Sequence, residues 1–300
     1  MNRRNFVRNS ILTAGAMSLP AQGLFALFFQ QPAWNITMLN DETGLFTGRG
    51  GTILFSKTKE GYVVVDSQFP EQSKILIDEL RKKGESPFRL LINTHHHGDH
   101  SGGNISFKGV VQHVLAHENS KINQEKVAKD RKTEAAQLYP DQTFTDTWSE
   151  KIGKEKFTLH YFGAGHTNGD SLVHLEHANI VHMGDLLFRN IYPNIDRGAG
   201  ASIKNWITVL EKAGKTFSKK TKYICGHSPK PEDVVVGAGF LPQMQFYLQN
   251  LLSFVEKEIK AGKTKEEILQ NTFIPGADDW KDAFKFVKVN LTVAYEELMG

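Results

Sequence analysis

The sequence of 300 residues lacks several features that mark specialised classes of protein. It has one cysteine, Cys225, which excludes an intrachain disulfide framework. It has no low-complexity run, and its 40% hydrophobic content excludes disordered, collagen-like and multi-span membrane proteins. The net charge is only +3, and Arg3, Arg4 and Arg8 are the sole charged residues among the first thirty, so the rest of the chain is neutral. We therefore expect no nucleic-acid partner, since binding to phosphate backbones needs a concentrated excess of Lys and Arg.

The first thirty residues have the composition of a removable export signal. A basic stretch at 2–8 is followed by uncharged residues from 10 to 29, and the arginine pair before Phe6 resembles bacterial twin-arginine signals. A retained membrane anchor over 11–29 is the alternative. We predict that residues 1–30 are a cleaved signal, which places the mature protein in the periplasm or outside the cell without stable insertion in a membrane.

Strand patterns alternate with helical patterns along the mature chain. Strands are predicted at 52–55 and 62–65, at 90–92, at 157–161, 172–175 and 180–183, and at 223–225. Helices are predicted from Pro70 to the stop at Gly84, around 203–210, from Phe240 onward, and near 280–298. A polar segment at 117–138 is predicted to be an exposed helical insertion. The whole insertion at 117–147 is either a lid or an ordinary part of the surface. These patterns predict sheets covered by helices, with a main domain at 31–240 and C-terminal helices at 241–300 packed on it.

The segment Thr94-His-His-His-Gly-Asp-His100 concentrates metal-binding side chains at the end of a predicted strand. His95 and His97 are two residues apart, so in an extended chain they project to the same side and can bind one cation. Gly98 permits a sharp turn that returns Asp99 and His100 to the same region, where they can hold a second cation. The alternative is a surface histidine tract that binds metal adventitiously.

Three further side chains occupy similar positions elsewhere in the chain. His166, Asp185 and His227 each follow a predicted strand and directly follow a glycine, as loop residues at the rim of a sheet do. Each alone is ordinary for a polar loop. Together with the histidine-rich segment they complete the ligands for two metal ions.

The series His-x-His-x-Asp-His, Gly-His, Gly-Asp and Gly-His resembles the metallo-β-lactamase superfamily over residues from about 34 to 230. This resemblance implies an α+β fold, a four-layer αβ/βα sandwich with the metals in a cleft at one edge of the two sheets and a C-terminal helical extension. It also implies two sets of ligands: His95, His97 and His166 for the first metal; Asp99, His100 and His227 for the second; and Asp185 bridging them. Asp66 matches an early aspartate that orients a ligand loop.

The ligand types predict two zinc ions per chain, with manganese or iron left open because Asp185 is a hard oxygen ligand. Diiron relatives carry a carboxylate where this chain has His97, and they also carry a flavin domain. Two zinc ions would activate a bridging water to hydroxide for attack on a carbonyl or phosphoryl centre. Asp99 is the predicted catalytic residue that orients this nucleophile and passes its proton to the leaving group.

The substrate is less well determined than the reaction. The first subclass of metallo-β-lactamases has cysteine at the position of Asp185, and acyl-homoserine lactonases have tyrosine at that of Phe188. Arg189, Tyr192 and Asn194 follow the bridging aspartate and are predicted to bind substrate, although Tyr192 equally suits packing of the loop. We predict an exported hydrolase of small cyclic amides or esters, with β-lactams as the leading small-molecule substrate. The alternatives are a lactonase, esterase or thioesterase, and a metal-binding module without turnover; the oligomeric state is left open.

Overall fold

Two β-sheets packed face to face form the centre of the fold in the computed structural model, which describes residues 34–282 and 285–300. The predicted export signal at 1–30 lies outside the described residues. Within these residues, no helix has both the length and the apolar character needed to cross a membrane.

The first sheet contains seven strands in chain order, and the second contains six. The first is built from β1 (Asn35–Met38), β2 (Thr43–Thr47), β3 (Ile53–Thr58), β4 (Gly61–Val65), β5 (Phe88–Asn93), β6 (Val111–His117) and β7 (Gln142–Phe144). It is antiparallel from β1 to β4 and parallel from β4 to β7. The second is built from β8 (Thr147–Ile152), β9 (Glu155–His160), β10 (Leu172–Leu175), β11 (Ile180–His182), β12 (Lys222–Ile224) and β13 (Val235–Gly237), in the spatial order β13-β12-β11-β10-β9-β8. Only its β11–β12 pair is parallel.

Helices cover the outer face of each sheet. They are α1 (Pro70–Arg81), α2 (Gly98–Ser101), α3 (Glu118–Arg131), α4 (Ile203–Thr216), α5 (Leu241–Lys260), α6 (Lys265–Ile268) and α7 (Val287–Met299). One apolar cluster packs α1 on the first sheet, and another packs α4, α5 and α7 on the second. A third fills the space between the sheets, because alternate side chains of each strand point inward. The four-layer αβ/βα sandwich is confirmed.

The predicted elements are found, with two differences. The last helix begins at Val287 rather than near 280, because the backbone of Lys281 pairs with Asn190 and Tyr192 instead of continuing a helix. The segment predicted to be an exposed insertion contains α3, and its polar residues Asn123 and Gln124 are buried. Their amides donate to other buried or half-buried polar groups, so α3 is fixed against the sandwich by hydrogen bonds.

The strand ends bring the loops of interest to one edge. The parallel strands β4 and β5 lead to Asp66 and to the segment 94–100, and the parallel strands β11 and β12 lead to Asp185 and His227. These ends of the first and second sheets meet where the Thr52 amide donates to the Gly226 carbonyl at 2.9 Å. Because parallel neighbours end on the same side of a sheet, distant parts of the sequence reach one cleft.

Candidate metal centre

Three imidazole nitrogens converge in the first part of the cleft. His97 Nδ1 lies 3.1 Å from His95 Nε2 and 2.9 Å from His166 Nε2. Zinc at its usual bond length of 2.0–2.1 Å would separate tetrahedral nitrogen ligands by about 3.3 Å. Asp185 Oδ2 completes the group at 3.9 Å from His95 Nε2 and 3.5 Å from His166 Nε2. The spacing fits one shared cation.

The other nitrogen of each of these three histidines is held by a hydrogen bond. His95 Nδ1 contacts Thr94 Oγ1 at 3.1 Å, His166 Nδ1 donates to the Asn194 carbonyl at 2.6 Å, and His97 Nε2 donates to Asp196 Oδ2 at 2.9 Å. Such bonds fix the tautomer and leave a lone pair on the nitrogen that faces the cation. Burial also lowers the pKa of His95, and that of His166 to about 4, so both rings are neutral and ready to bind.

Asp99, His100 and His227 form the second group, on the other side of Asp185. His227 Nε2 lies 3.1 Å from Asp99 Oδ2 and 3.3 Å from His100 Nε2. Asp185 Oδ1 is 3.0 Å from His100 Nε2 and 3.4 Å from His227 Nε2. This oxygen is buried and makes no hydrogen bond of good geometry to the described residues. A buried carboxylate oxygen facing two imidazoles fits a second cation.

Charge distinguishes the second group from the first. Burial opposes protonation of His100 and His227, but the neighbouring carboxylates, Asp185 first, together outweigh it. The pKa of His100 lies well above its usual value, and that of His227 is raised to about 9. Burial likewise opposes ionisation of Asp185, yet His227 and His100 hold its pKa well below the ordinary range. In the metal-free protein the group is therefore a set of ion pairs, from which a bound cation displaces protons.

Asp66 lies where the sequence predicts a supporting residue. Its carboxylate is fully buried, and its backbone has a φ of 65°, which residues other than glycine rarely adopt. It accepts hydrogen bonds from the Thr94 amide at 2.8 Å, from Thr94 Oγ1 at 2.8 Å and from His100 Nδ1 at 2.7 Å. Because Thr94 Oγ1 also contacts His95 Nδ1, one carboxylate orients a ligand of each group.

The glycines before Asp185 and His227 let two loops approach closely. Gly184 has a φ of 50°, and a Cβ at this position would lie 2.6 Å from Thr94 Oγ1. A Cβ on Gly226 would lie 2.0 Å from Asp185 Oδ1. The Gly-Asp and Gly-His steps in the sequence are therefore steric requirements of the site.

Of the predicted substrate residues, Asn194 reaches the cleft and two others do not. A cavity of about 250 Å³ is lined by His97, Gly98, Asp99, Asp185, Phe188, Asn194, His227 and Phe286. Arg189 instead donates to the Asp233 carbonyl at 2.6 Å. Tyr192 is buried, and its hydroxyl donates to the Ala277 carbonyl at 2.8 Å, which is the packing alternative left open by the sequence.

Asp196 and Phe286 contribute to the site without having been singled out from the sequence. Asp196 holds His97 and lies 3.7 Å from His96 Nε2, but it follows neither a strand nor a glycine. Phe286 precedes α7, far along the chain from every ligand. No local pattern marks either residue, since only the tertiary structure brings them to the cleft.

The geometry is that of a site for metal ions, and comparison with known proteins assigns the class of protein. Residues 47–227 match the family model described as the metallo-beta-lactamase superfamily. A metallo-beta-lactamase type 2 from Elizabethkingia meningoseptica is 26% identical over 220 residues, which cover 70% of this chain and 85% of the relative. A hydroxyacylglutathione hydrolase from Pelagibacter ubique is 30% identical over 175 residues, covering 58% of this chain and 64% of the relative.

Solved structures share the fold. A metallo-beta-lactamase from Pontibacter korlensis superposes with a TM-score of 0.62 at 22% identity, covering 72% of this chain and 99% of that one. A variant of a sec-alkyl sulfatase gives a TM-score of 0.68 at 14% identity, covering 89% of this chain and 50% of that one. The chain belongs to the metallo-beta-lactamase superfamily and is a metal-dependent hydrolase of that family.

Proposed function

We propose that this protein is an exported two-zinc hydrolase of cyclic amides and related acyl compounds, with β-lactams as the leading substrate. One observation carries the proposal: two groups of ligands flank Asp185, whose Oδ2 faces the first group and whose Oδ1 faces the second. Imidazole and carboxylate ligands suit zinc. His95, His97 and His166 would hold one ion, Asp99, His100 and His227 the other, and Asp185 would contact both.

Bound zinc ions would lower the pKa of a water molecule toward neutrality and polarise the oxygen of a substrate carbonyl. The proposal assigns transfer of the proton to Asp99. Its side chain is 30% exposed, lines the cleft, and has Oδ2 only 3.1 Å from His227 Nε2. There it can orient the attacking water and carry a proton to the leaving group, a role worth about 10²–10⁴ in rate. Asn194 and Phe188 line the same cavity and would position the substrate.

The choice of a β-lactam draws on the relatives and on the neutral charge of the mature chain. The relatives from Elizabethkingia meningoseptica and Chryseobacterium indologenes are both named metallo-beta-lactamases. The hydroxyacylglutathione hydrolase relative supports a thioesterase as the second candidate function. Export would separate this chain from cytoplasmic thioesters and so favours the first candidate.

A substrate panel tests the proposal. The purified protein, with two equivalents of zinc, is assayed against a chromogenic cephalosporin, a set of lactones, a glutathione thioester and a bis-aryl phosphodiester. We expect cephalosporin turnover that a chelator abolishes and that Asp99→Asn lowers by about 10²–10⁴. Turnover of only lactones or only the thioester would replace the β-lactam assignment. Two bound zinc ions with no turnover of any compound would identify a binding module and overturn the proposal.

A further inference from the structure

One wall of the metal cleft comes from outside the part of the chain that matches the family. The family match ends at residue 227, whereas Phe286 lines the cavity together with the ligands His97, Asp99 and His227. Phe286 is partly buried against the apolar cluster of α4, α5 and α7, so its ring joins that core to the cleft. The C-terminal extension therefore forms part of the wall of the cleft.

Hydrogen bonds fasten this extension to the loop that follows Asp185. The Tyr192 amide donates to the Lys281 carbonyl at 3.2 Å, and the Lys281 amide donates to the Asn190 carbonyl at 3.0 Å. The Tyr192 hydroxyl donates to the Ala277 carbonyl at 2.8 Å and accepts from the Ile274 amide at 3.2 Å. Tyr192 thus fastens residues 274–281, which precede Phe286 in the chain.

A second aromatic side chain lines the same cavity. Phe188 is buried and stacks on the His227 ring, with centroids 5.4 Å apart and planes 17° from parallel. It follows Asp185 in the chain and is held by the bridge between Phe188 and His227. The cavity therefore combines a metal-binding side with two phenyl rings from separate parts of the sequence.

We infer that Phe286, with Phe188, forms an apolar subsite that selects acyl substrates carrying a flat, apolar ring beside the scissile carbonyl. The cavity of about 250 Å³ has room for such a ring and the reacting group, since an apolar cavity of roughly 150 Å³ accommodates benzene. Phenyl rings favour another ring through offset or edge-on contacts. This inference rests on the proposed function and names the substrate class within it.

Two thiols of different size test the subsite without turnover. Thiolates bind to an exposed cation, and Co²⁺-loaded protein reports their binding through its visible absorption. Benzyl mercaptan should bind to the intact protein more tightly than 2-mercaptoethanol. Phe286→Ala should weaken the binding of benzyl mercaptan by about three- to tenfold, which is the range of one aromatic contact. The binding of 2-mercaptoethanol should not change. Phe273→Ala is the matched control, because Phe273 lies in the same extension, is 48% exposed and does not line the cavity.

Tyr192→Phe removes the hydroxyl that holds the extension, and like Phe286→Ala it should weaken the binding of benzyl mercaptan. The inference would be overturned if Phe286→Ala weakened the binding of both thiols equally or of neither. It would also be overturned if Phe273→Ala had the same effect as Phe286→Ala. If the thiols discriminate as expected while no acyl compound is hydrolysed, the proposed function fails and the subsite stands. If acyl compounds turn over and the thiols do not discriminate, the function stands and the subsite fails.

Discussion

Replacing Asp66 by asparagine should weaken binding of the second cation while leaving the fold intact. The new side chain keeps an oxygen for the Thr94 amide, but its amide nitrogen replaces the oxygen that accepts from His100 Nδ1 at 2.7 Å. The amide N–H of the asparagine can donate a hydrogen bond to His100 Nδ1 only when that nitrogen carries no proton. The proton of His100 must then move to Nε2, the atom that lies 3.0 Å from Asp185 Oδ1. A protonated Nε2 cannot bind a metal ion.

The expected loss of zinc affinity follows from the usual effect of disturbing one hydrogen-bond partner of a metal ligand. Disturbing an outer partner of a metal ligand typically weakens metal binding by 10- to 100-fold, which is about 1.4–2.7 kcal/mol. We expect this loss for the second equivalent of zinc. A smaller loss is expected for the first, because Thr94 Oγ1 carries the influence of Asp66 to His95. Competition titration with a chelator measures both equivalents, and circular dichroism checks that the variant is folded.

Two variants sharpen the interpretation. Asp196→Asn disturbs the partner of His97 and should weaken the first equivalent instead. Asp141→Asn breaks a similar contact of 2.8 Å, to His113 Nδ1, on the exposed surface, and it should change neither equivalent. Unaltered affinity for the second equivalent in folded Asp66→Asn protein would refute the argument from the tautomer of His100.

Three further predictions follow from the same cleft. Gly226→Ala should abolish binding of the second zinc ion, because its Cβ would lie 2.0 Å from Asp185 Oδ1. Gly239→Ala should bind zinc normally, since no atom of the described residues lies within 4 Å of the added Cβ, and metal analysis of the two variants decides this. The affinity of the metal-free protein for zinc should fall as the pH drops below about 9, because the pKa of His227 is raised to about 9 and this residue must lose its proton to bind the ion. Calorimetry in buffers of different ionisation heat should show the release of protons on binding. An affinity that does not depend on pH would contradict the argument. Cys225 is fully buried, and burial raises the pKa of its thiol, so a thiol reagent should label it only after unfolding. Rapid labelling of the native protein would contradict this burial.

The residue patterns predicted sheets covered by helices and the metal-binding residue types, and the family resemblance implied the four-layer sandwich. Short continuous runs of apolar residues marked the buried strands, and the spacing of His95 and His97 placed two ligands on one side of a strand end. The glycines before Asp185 and His227 marked sharp loops, and the structure shows the contacts that require them. These features are local, so a pattern of a few residues is enough to reveal them.

The tertiary structure decided which of the residues meet. Arg189 and Tyr192 stand next to Asp185 in the sequence, yet they bond to Asp233 and Ala277, because the loop turns them away from the cleft. Asp196 and Phe286 carry no local pattern, and they reach the site through contacts across the fold. Ligand chemistry is a property of short segments, whereas the shape of a cleft depends on how distant segments pack, and that packing is set by the burial of the whole core.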